Sequence, residues 1–146
     1  MIGGVKLIEL TTHEDERGFF REIFRLTEQF EDSTVGQLSH SRVKEGVLKA
    51  WHGHAYQSQW NYVVLGQIKV VLYDNRENSH SYKKTMEFDV GEETNPKAYF
   101  FPPGIMHGYM CIQGPMEIIY ATSGVYDLKD EIRKTADDLD FHYKWK

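Results

Sequence analysis

The sequence has one cysteine, no long apolar run and no excess of positive charge. The single cysteine, Cys111, excludes an internal disulfide, and no stretch has the roughly 18 apolar residues of a membrane-spanning helix or the apolar core of a signal peptide. With 17 Lys and Arg against 22 Asp and Glu, the net charge of −5 argues against wholesale nucleic-acid binding. We therefore expect a soluble, cytoplasmic protein whose partners include neither nucleic acid nor membrane.

Aromatic residues are plentiful instead, at 14% of the 146 residues, and they favour strands. Short apolar stretches alternate with turn signals about every 8 to 12 residues, a pattern typical of an all-β sandwich or barrel. The length fits a single domain over residues 1–146. Within it we predict strands at residues 4–10 and 35–43, and a core position for Cys111.

Local patterns predict further secondary structure. The polar residues 11–18 predict a loop, and Gly66, between two apolar runs, predicts a hairpin turn that joins two strands. The stretches GYMCIQG and MEIIYATSGVY predict two more strands. Leu128, Ile132 and Ala136 stand four residues apart in the charged segment 127–140, which indicates one face of a short C-terminal helix.

Histidines at strand spacing supply a candidate site. His52 and His54 stand two apart in GVLKAWHGHAYQSQWNYVVLG, and alternate residues of a strand point to the same face. His107 follows the turn signal of FFPPGIMHGYM, and Tyr120 lies in the apolar stretch MEIIYAT. If these strands share one sheet or barrel, three imidazoles and a phenol converge on one cavity.

The spacing of these residues resembles the two motifs of the cupin superfamily. The first motif is matched at Gly46, His52, His54, Gln59 and Gly66, and the second at Pro102, Gly104 and His107. Gln59 departs from the usual glutamate. The resemblance implies a double-stranded β-helix, the cupin jelly-roll barrel, to which we add the short C-terminal helix.

Five blocks, in order along the chain, narrow this resemblance to the dTDP-4-dehydrorhamnose 3,5-epimerase family. They are DERGFFRE at 15–22, GVLKAWH at 46–52, GQIKVVLYDNRENS at 66–79, PPGIMHGY at 102–109 and IIYATSGVY at 118–126. The resemblance implies a homodimeric isomerase that needs no cofactor. Its partner would be a nucleotide-linked 4-keto-6-deoxy sugar, with dTDP as the nucleotide, in deoxysugar or polysaccharide biosynthesis.

The same resemblance implies residue roles. His52 would be the base that removes the proton beside the C4 ketone, and Tyr120 the acid on the opposite face. His107 would hold the ketone or enolate oxygen. The remaining substrate-binding positions would be Arg17 and Lys49 at the diphosphate, Glu22 and Gln37 at the nucleotide, and His54, Gln59 and Tyr126 in the pocket. From its charges alone, the segment around Arg17 is typical of a solvated face, with anion binding by one or two of its arginines as the alternative.

Departures from the family leave alternatives open. The family's C-terminal aspartate, which orients the base, has no counterpart, so His54, a backbone carbonyl or one of Asp137, Asp138 and Asp140 would orient His52. The histidine pair also resembles small sugar 3,4-ketoisomerases of the same superfamily. A metal-dependent enzyme would use His52, His54, Gln59 and His107 as ligands. A non-catalytic sugar-binding cupin, or histidines that are merely core residues, are the further alternatives.

Overall fold

A computed structural model describes residues 1–26 and 34–146. The described strands are β1 (Lys6–Glu9), β2 (Thr12–Asp15), β3 (Gly18–Arg21), β4 (Gln37–Val43), β5 (Leu48–His54), β6 (Gln59–Asp74), β7 (Thr85–Gly91), β8 (Lys97–Phe101), β9 (Ile105–Thr122) and β10 (Glu131–Arg133). One turn of 3-10 helix follows at Leu139–Phe141. No helix in the described part of the chain is long and apolar enough to cross a membrane.

Two long strands, β6 and β9, organise the barrel because each belongs to both of its halves. The first part of β6 pairs with β8 and with the end of β9, and β1 and β4 extend this half. The second part of β6 pairs with β7 and with the start of β9, which β5 and β10 extend. Every pairing is antiparallel, and the predicted all-β jelly roll is confirmed.

Three apolar clusters pack against these strands. The largest lies between the two halves of the barrel and includes Val70, Leu72, Phe101 and Cys111. Cys111 is 1% exposed, which confirms its predicted core position. A second cluster surrounds the buried Trp60, and a third packs Phe141 and the C-terminal aromatics against Trp51. These clusters leave the polar end of the barrel, between β4, β5, β6 and β9, for the site.

The predicted hairpin at Gly66 and the two predicted strands around Gly114 are wrong. β6 and β9 each run on as one bent strand, with register shifts between Val63 and Ile68. Gly66 has a φ of +81°, and a Cβ there would lie 2.5 Å from the carbonyl oxygen of Gln113. A glycine at positive φ serves a bulge as well as a turn, so the local pattern does not distinguish the two.

The predicted helix over 127–140 and the predicted loop over 11–18 are also wrong. Residues 12–21 form the two-stranded hairpin of β2 and β3. Ile132 pairs with Gly53 as part of β10, while Leu128 is 70% exposed. A helix this short gains little by itself, whereas the edge of β5 offers backbone partners and the Trp51 cluster accepts Ile132.

Candidate active site

A cavity of about 280 Å³ opens at the polar end of the barrel. Eight of the ten predicted site residues line it, namely His52, His54, His107, Tyr120, Gln37, Lys49, Gln59 and Tyr126. Arg17 and Glu22 are absent from its lining. Strands β4, β5, β6 and β9 supply most of these groups, because their alternate residues face the barrel interior.

The three imidazoles lie close together, as the strand spacing predicts. His52 and His107 are direct partners across β5 and β9, with ring centroids 6.1 Å apart. The ring of His54 lies 6.4 Å from that of His107. Because the ring of His107 also packs against Phe101, with centroids 4.5 Å apart, it is held in place from the core side.

Burial keeps two of these imidazoles neutral near pH 7. It lowers the pKa of His52, and the nearby Glu131 only partly opposes this effect. Burial lowers the pKa of His107 to about 3, with His52 and His54 adding to the shift. Nε2 of His107 is buried without a hydrogen-bond partner. A neutral imidazole is the form that accepts a proton or donates a hydrogen bond from its N–H.

Two phenols line the same cavity. Tyr120 of β9 stands across from Asn61 of β6 and Ser39 of β4. Tyr109 stands on the same strand, and burial together with Tyr120 raises the pKa of Tyr109 to about 12. The sequence prediction missed Tyr109, although it lies two residues after His107 on a strand and therefore on the same face.

The prediction also missed the acidic segment that precedes and enters β10. Oε1 of Glu131 lies 3.7 Å from Nδ1 of His52, and Oδ2 of Asp130 lies 3.3 Å from Nδ1 of His54. Arg133 lines the cavity beside them. Since this segment was predicted to be helical, its register against β5 was not foreseeable from the sequence.

The aspartates proposed from the sequence to orient His52 lie elsewhere. Asp137 and Asp138 line a separate surface groove beside Leu48 and Trp145, and Asp140 belongs to the 3-10 turn. None of the three lines the cavity. That part of the orienting hypothesis is therefore wrong.

Neutral amides form the inner wall of the cavity. Nε2 of Gln59 donates to Oδ1 of Asn61 at 2.6 Å, and Nδ2 of Asn61 donates to the carbonyl of Tyr99 at 3.3 Å. Across residues 1–26 and 34–146, no group of three or more His, Cys, Asp or Glu side chains is arranged to hold a metal ion. His52, His54 and His107 therefore do not form such a group by themselves.

Arg17 and Glu22 lie on or next to the β2–β3 hairpin, outside the cavity. Arg17 pairs with Asp15 at 2.5 Å, and Glu22 pairs with Arg25 at 2.5 Å. The side chain of Arg17 is 83% exposed. Within a single chain, both residues therefore belong to a solvated face, as the charges of the segment predict.

Comparisons with known proteins agree with this geometry. A family model described as dTDP-4-dehydrorhamnose 3,5-epimerase matches residues 1–146. The spore coat polysaccharide biosynthesis protein SpsL of Bacillus subtilis (strain 168) is 39% identical over 148 residues, covering 99% of this chain and 97% of that protein.

Solved structures match as well. The dTDP sugar isomerase of Desulfovibrio desulfuricans G20 has a TM-score of 0.89 at 26% identity, covering 99% of this chain and 92% of that one. The dTDP-6-deoxy-D-glucose-3,5-epimerase RmlC of Legionella pneumophila Philadelphia 1, in complex with dTDP-4-keto-L-rhamnose, has a TM-score of 0.87 at 25% identity, covering 99% and 79%. The resemblance inferred from the sequence is confirmed: this chain belongs to the dTDP-4-dehydrorhamnose 3,5-epimerase family of isomerases.

Proposed function

We propose that the protein epimerises a dTDP-linked 4-keto-6-deoxy sugar at C3, C5 or both, without a cofactor, in deoxysugar or polysaccharide biosynthesis. The observation that carries this proposal is that His52 and the phenol of Tyr120 line one cavity, in which burial lowers the pKa of His52. The family relationship supplies the substrate class, because relatives are named as dTDP-sugar epimerases.

The reaction is a pair of proton transfers beside a carbonyl. His52 accepts the proton from the carbon next to the C4 ketone, the electron pair of the broken C–H bond forms the C=C bond of an enolate, and the π pair of the C=O bond moves onto the ketone oxygen. Tyr120 then donates its proton to the opposite face of that carbon, and the C=O bond forms again. A base with a pKa near or below neutrality suits the first step. His52 afterwards loses its proton to water and the Tyr120 phenolate regains one.

His107 suits the role of holding the developing oxyanion. Its pKa of about 3 keeps the ring neutral, so it donates a hydrogen bond without introducing a competing acid. Donors aimed at an enolate oxygen in a water-poor cavity contribute several kcal/mol to catalysis, roughly 3 for one donor. Lys49 and Arg133, which line the same cavity, place positive charge where the diphosphate would enter.

Gln37 and Tyr126 suit contacts with the nucleotide. The backbone N–H of Tyr126 donates to Oε1 of Gln37 at 2.8 Å, and Nε2 of Gln37 donates to Oγ of Ser39 at 2.9 Å. These bonds hold the backbone of Tyr126 beside the cavity, and its aromatic ring is 64% exposed. An amphipathic ring in this position offers a surface on which a base can stack.

Deuterium exchange tests the proposal. Metal-stripped protein is incubated with dTDP-4-keto-6-deoxyglucose in deuterated water, and products are read by mass spectrometry and NMR. We expect label at C3, C5 or both, together with inverted product, and the labelled carbon names the specificity. Product whose ketone has moved to C3 would establish the 3,4-ketoisomerase alternative instead. Tight dTDP-sugar binding without any label would favour the non-catalytic binding protein.

We also propose a homodimer in which the β2–β3 hairpin of each protomer reaches the partner's cavity. In the described residues this hairpin pairs only with itself, and Phe19 and Phe20 are 50% and 68% exposed on it. Arg21 anchors its base by donating to the hydroxyl of Tyr62 at 2.7 Å. An exchanged hairpin would bury the two rings and would give Arg17 and Glu22 the nucleotide contacts that their own cavity lacks.

The cytoplasmic location of the protein remains a prediction.

Subunit complementation tests this exchange. A dimer purified with one His52→Ala chain and one Arg17→Ala chain, each carrying a different tag, contains one site with both defects and one intact site. We expect about half the activity of the wild-type dimer, although each variant alone is weak, because the intact site takes His52 from one chain and Arg17 from the other. Activity no higher than that of the two parents would place Arg17 in its own chain's site, and a monomeric wild type would overturn the proposal outright.

A further inference from the structure

Two consecutive carboxylates stand behind two of the imidazoles. We propose that Glu131 is the positioning residue of His52 and that Asp130 plays the same part for His54, each holding the ring in the tautomer with the proton on Nδ1. The catalytic meaning of this arrangement rests on the proposed function, whereas the tautomers themselves do not. The proposal assigns the orientation of the two imidazole rings to a segment that the sequence pattern predicted to be helical.

The two carboxylates are buried and only partly satisfied. Asp130 is 3% exposed, and its Oδ1 accepts the backbone N–H of Tyr56 at 2.7 Å, which leaves Oδ2 beside His54. The side chain of Glu131 is 8% exposed. Among residues 1–26 and 34–146, Oδ2 of Asp130, Oε2 of Glu131 and Nδ1 of His54 are all buried and have no hydrogen-bond partner. A buried oxygen of this kind calls for a donor. Nδ1 of His54 lies 3.3 Å from Oδ2 of Asp130, and Nδ1 of His52 lies 3.7 Å from Oε1 of Glu131, the oxygen that also accepts from Arg133.

Strand pairing makes the arrangement specific. β10 pairs with β5 so that Glu131 stands across from His54 and Arg133 across from His52. All four side chains therefore share the cavity face of the sheet, and Glu131 reaches diagonally to His52. Nε of Arg133 donates to Oε1 of Glu131 at 2.8 Å, and this contact is the main reason that the pKa of Glu131 is lowered. Glu131 is therefore a carboxylate at neutral pH.

The chemical consequence concerns the free nitrogen of His52. A carboxylate beside Nδ1 favours the proton there, which leaves the lone pair of Nε2 available to the substrate carbon. It also stabilises the imidazolium that forms when His52 takes the proton. Arg133 of β10 and Lys49 and His54 of β5 also act on His52 and lower its pKa, and the neutral His107 of β9 faces it across the sheet. Glu131 is the group that raises the pKa of His52.

Nitrogen-detected NMR of the substrate-free protein tests the tautomers directly. In the wild type we expect His52 and His54 to carry their protons on Nδ1. Glu131→Gln should increase the Nε2–H share of His52 alone, and Asp130→Asn should do the same for His54 alone. A wild-type His52 protonated mainly on Nε2, or one whose tautomer is unmoved by Glu131→Gln, would overturn the assignment.

The pH dependence of exchange provides the catalytic readout. Glu131→Gln should lower kcat on the order of 10²-fold with KM nearly unchanged. The acidic side of the variant's pH–rate profile, its acid limb, should move to lower pH. The reason is that loss of the negative charge leaves Arg133 and Lys49 to lower the pKa of His52 further. Glu131→Asp, which keeps the charge, should recover part of the rate. An acid limb identical to that of the wild type would refute a positioning role.

Glu117→Gln is the matched control, since Glu117 also pairs with a histidine and an arginine, His40 and Arg42, but stands outside the cavity. This variant should leave the tautomers of His52 and His54 and the acid limb of the pH–rate profile unchanged. A shift of the limb in this control equal to that of Glu131→Gln would reduce the effect to general electrostatics and overturn the proposal. Expected tautomers in a wild type that exchanges no label would support the positioning and refute the proposed function, so the two failures are distinguishable.

Discussion

His52→Ala is expected to lower the rate of solvent exchange at the substrate carbon by about 10³- to 10⁴-fold while dTDP binds almost as in the wild type. The imidazole is the proposed base, and no neighbouring group has the same position: His107 is held in place by Phe101, and its low pKa makes it a poor proton acceptor. The side chain of His52 is 42% exposed, so its removal leaves the core intact. Initial rates of deuterium incorporation and calorimetric titration with dTDP measure the two effects.

The matched control for this variant is His40→Ala. His40 lies on β4, is 54% exposed and pairs with Glu117 outside the cavity. Its removal should leave exchange at the wild-type rate. Near-normal turnover by His52→Ala would remove the proposed base, and a loss of dTDP affinity equal to the loss of rate would make His52 a binding residue.

The wild-type pH profile belongs to the same prediction. Burial lowers the pKa of His52, and a base works only when it is unprotonated. The rate should therefore stay high as the pH falls through roughly 6.5, the ordinary value for histidine, and decline only at lower pH. If the rate already declines above about pH 6.5, either the pKa of His52 is not lowered or another group titrates in the rate-determining step.

Tyr120→Phe is expected to separate exchange from epimerisation. Without the phenol, His52 still removes the proton and returns a deuteron to the same face, so label enters the substrate with its configuration retained. Inverted product should form about 10²- to 10³-fold more slowly, since one positioned general acid is lost. NMR of the recovered sugar distinguishes retained from inverted labelled product.

Two further tyrosine variants sharpen this test. Tyr56→Phe changes a side chain that is 83% exposed and should have no effect. Tyr109→Phe changes the other cavity phenol, whose raised pKa of about 12 makes it a weaker acid than an ordinary tyrosine, and should slow inversion less than Tyr120→Phe. If Tyr109→Phe alone stops inversion, the acid is Tyr109. If Tyr120→Phe stops exchange and inversion together, the division of roles between His52 and Tyr120 is wrong.

The sequence by itself determined those features that depend on residue type and short spacing. Alternation along strands placed His52 and His54 on one face, and apolar character placed Cys111 in the core. The ordered blocks around His52, His107 and Tyr120 indicated the family that the comparisons confirm. Each of these inferences needs only the period of a strand or a motif, which the chain carries locally.

Only the tertiary structure decided the features that depend on which strand edges meet. Gly66 has the positive φ of a turn, yet β6 continues through it because both of its parts find partners in β9. The segment around Ile132 has helical spacing, yet it pairs with β5 and so carries Glu131 to His52 and Asp130 to His54. Local propensities amount to fractions of a kcal/mol per residue, whereas a free strand edge and an aromatic cluster offer hydrogen bonds and burial that outweigh them.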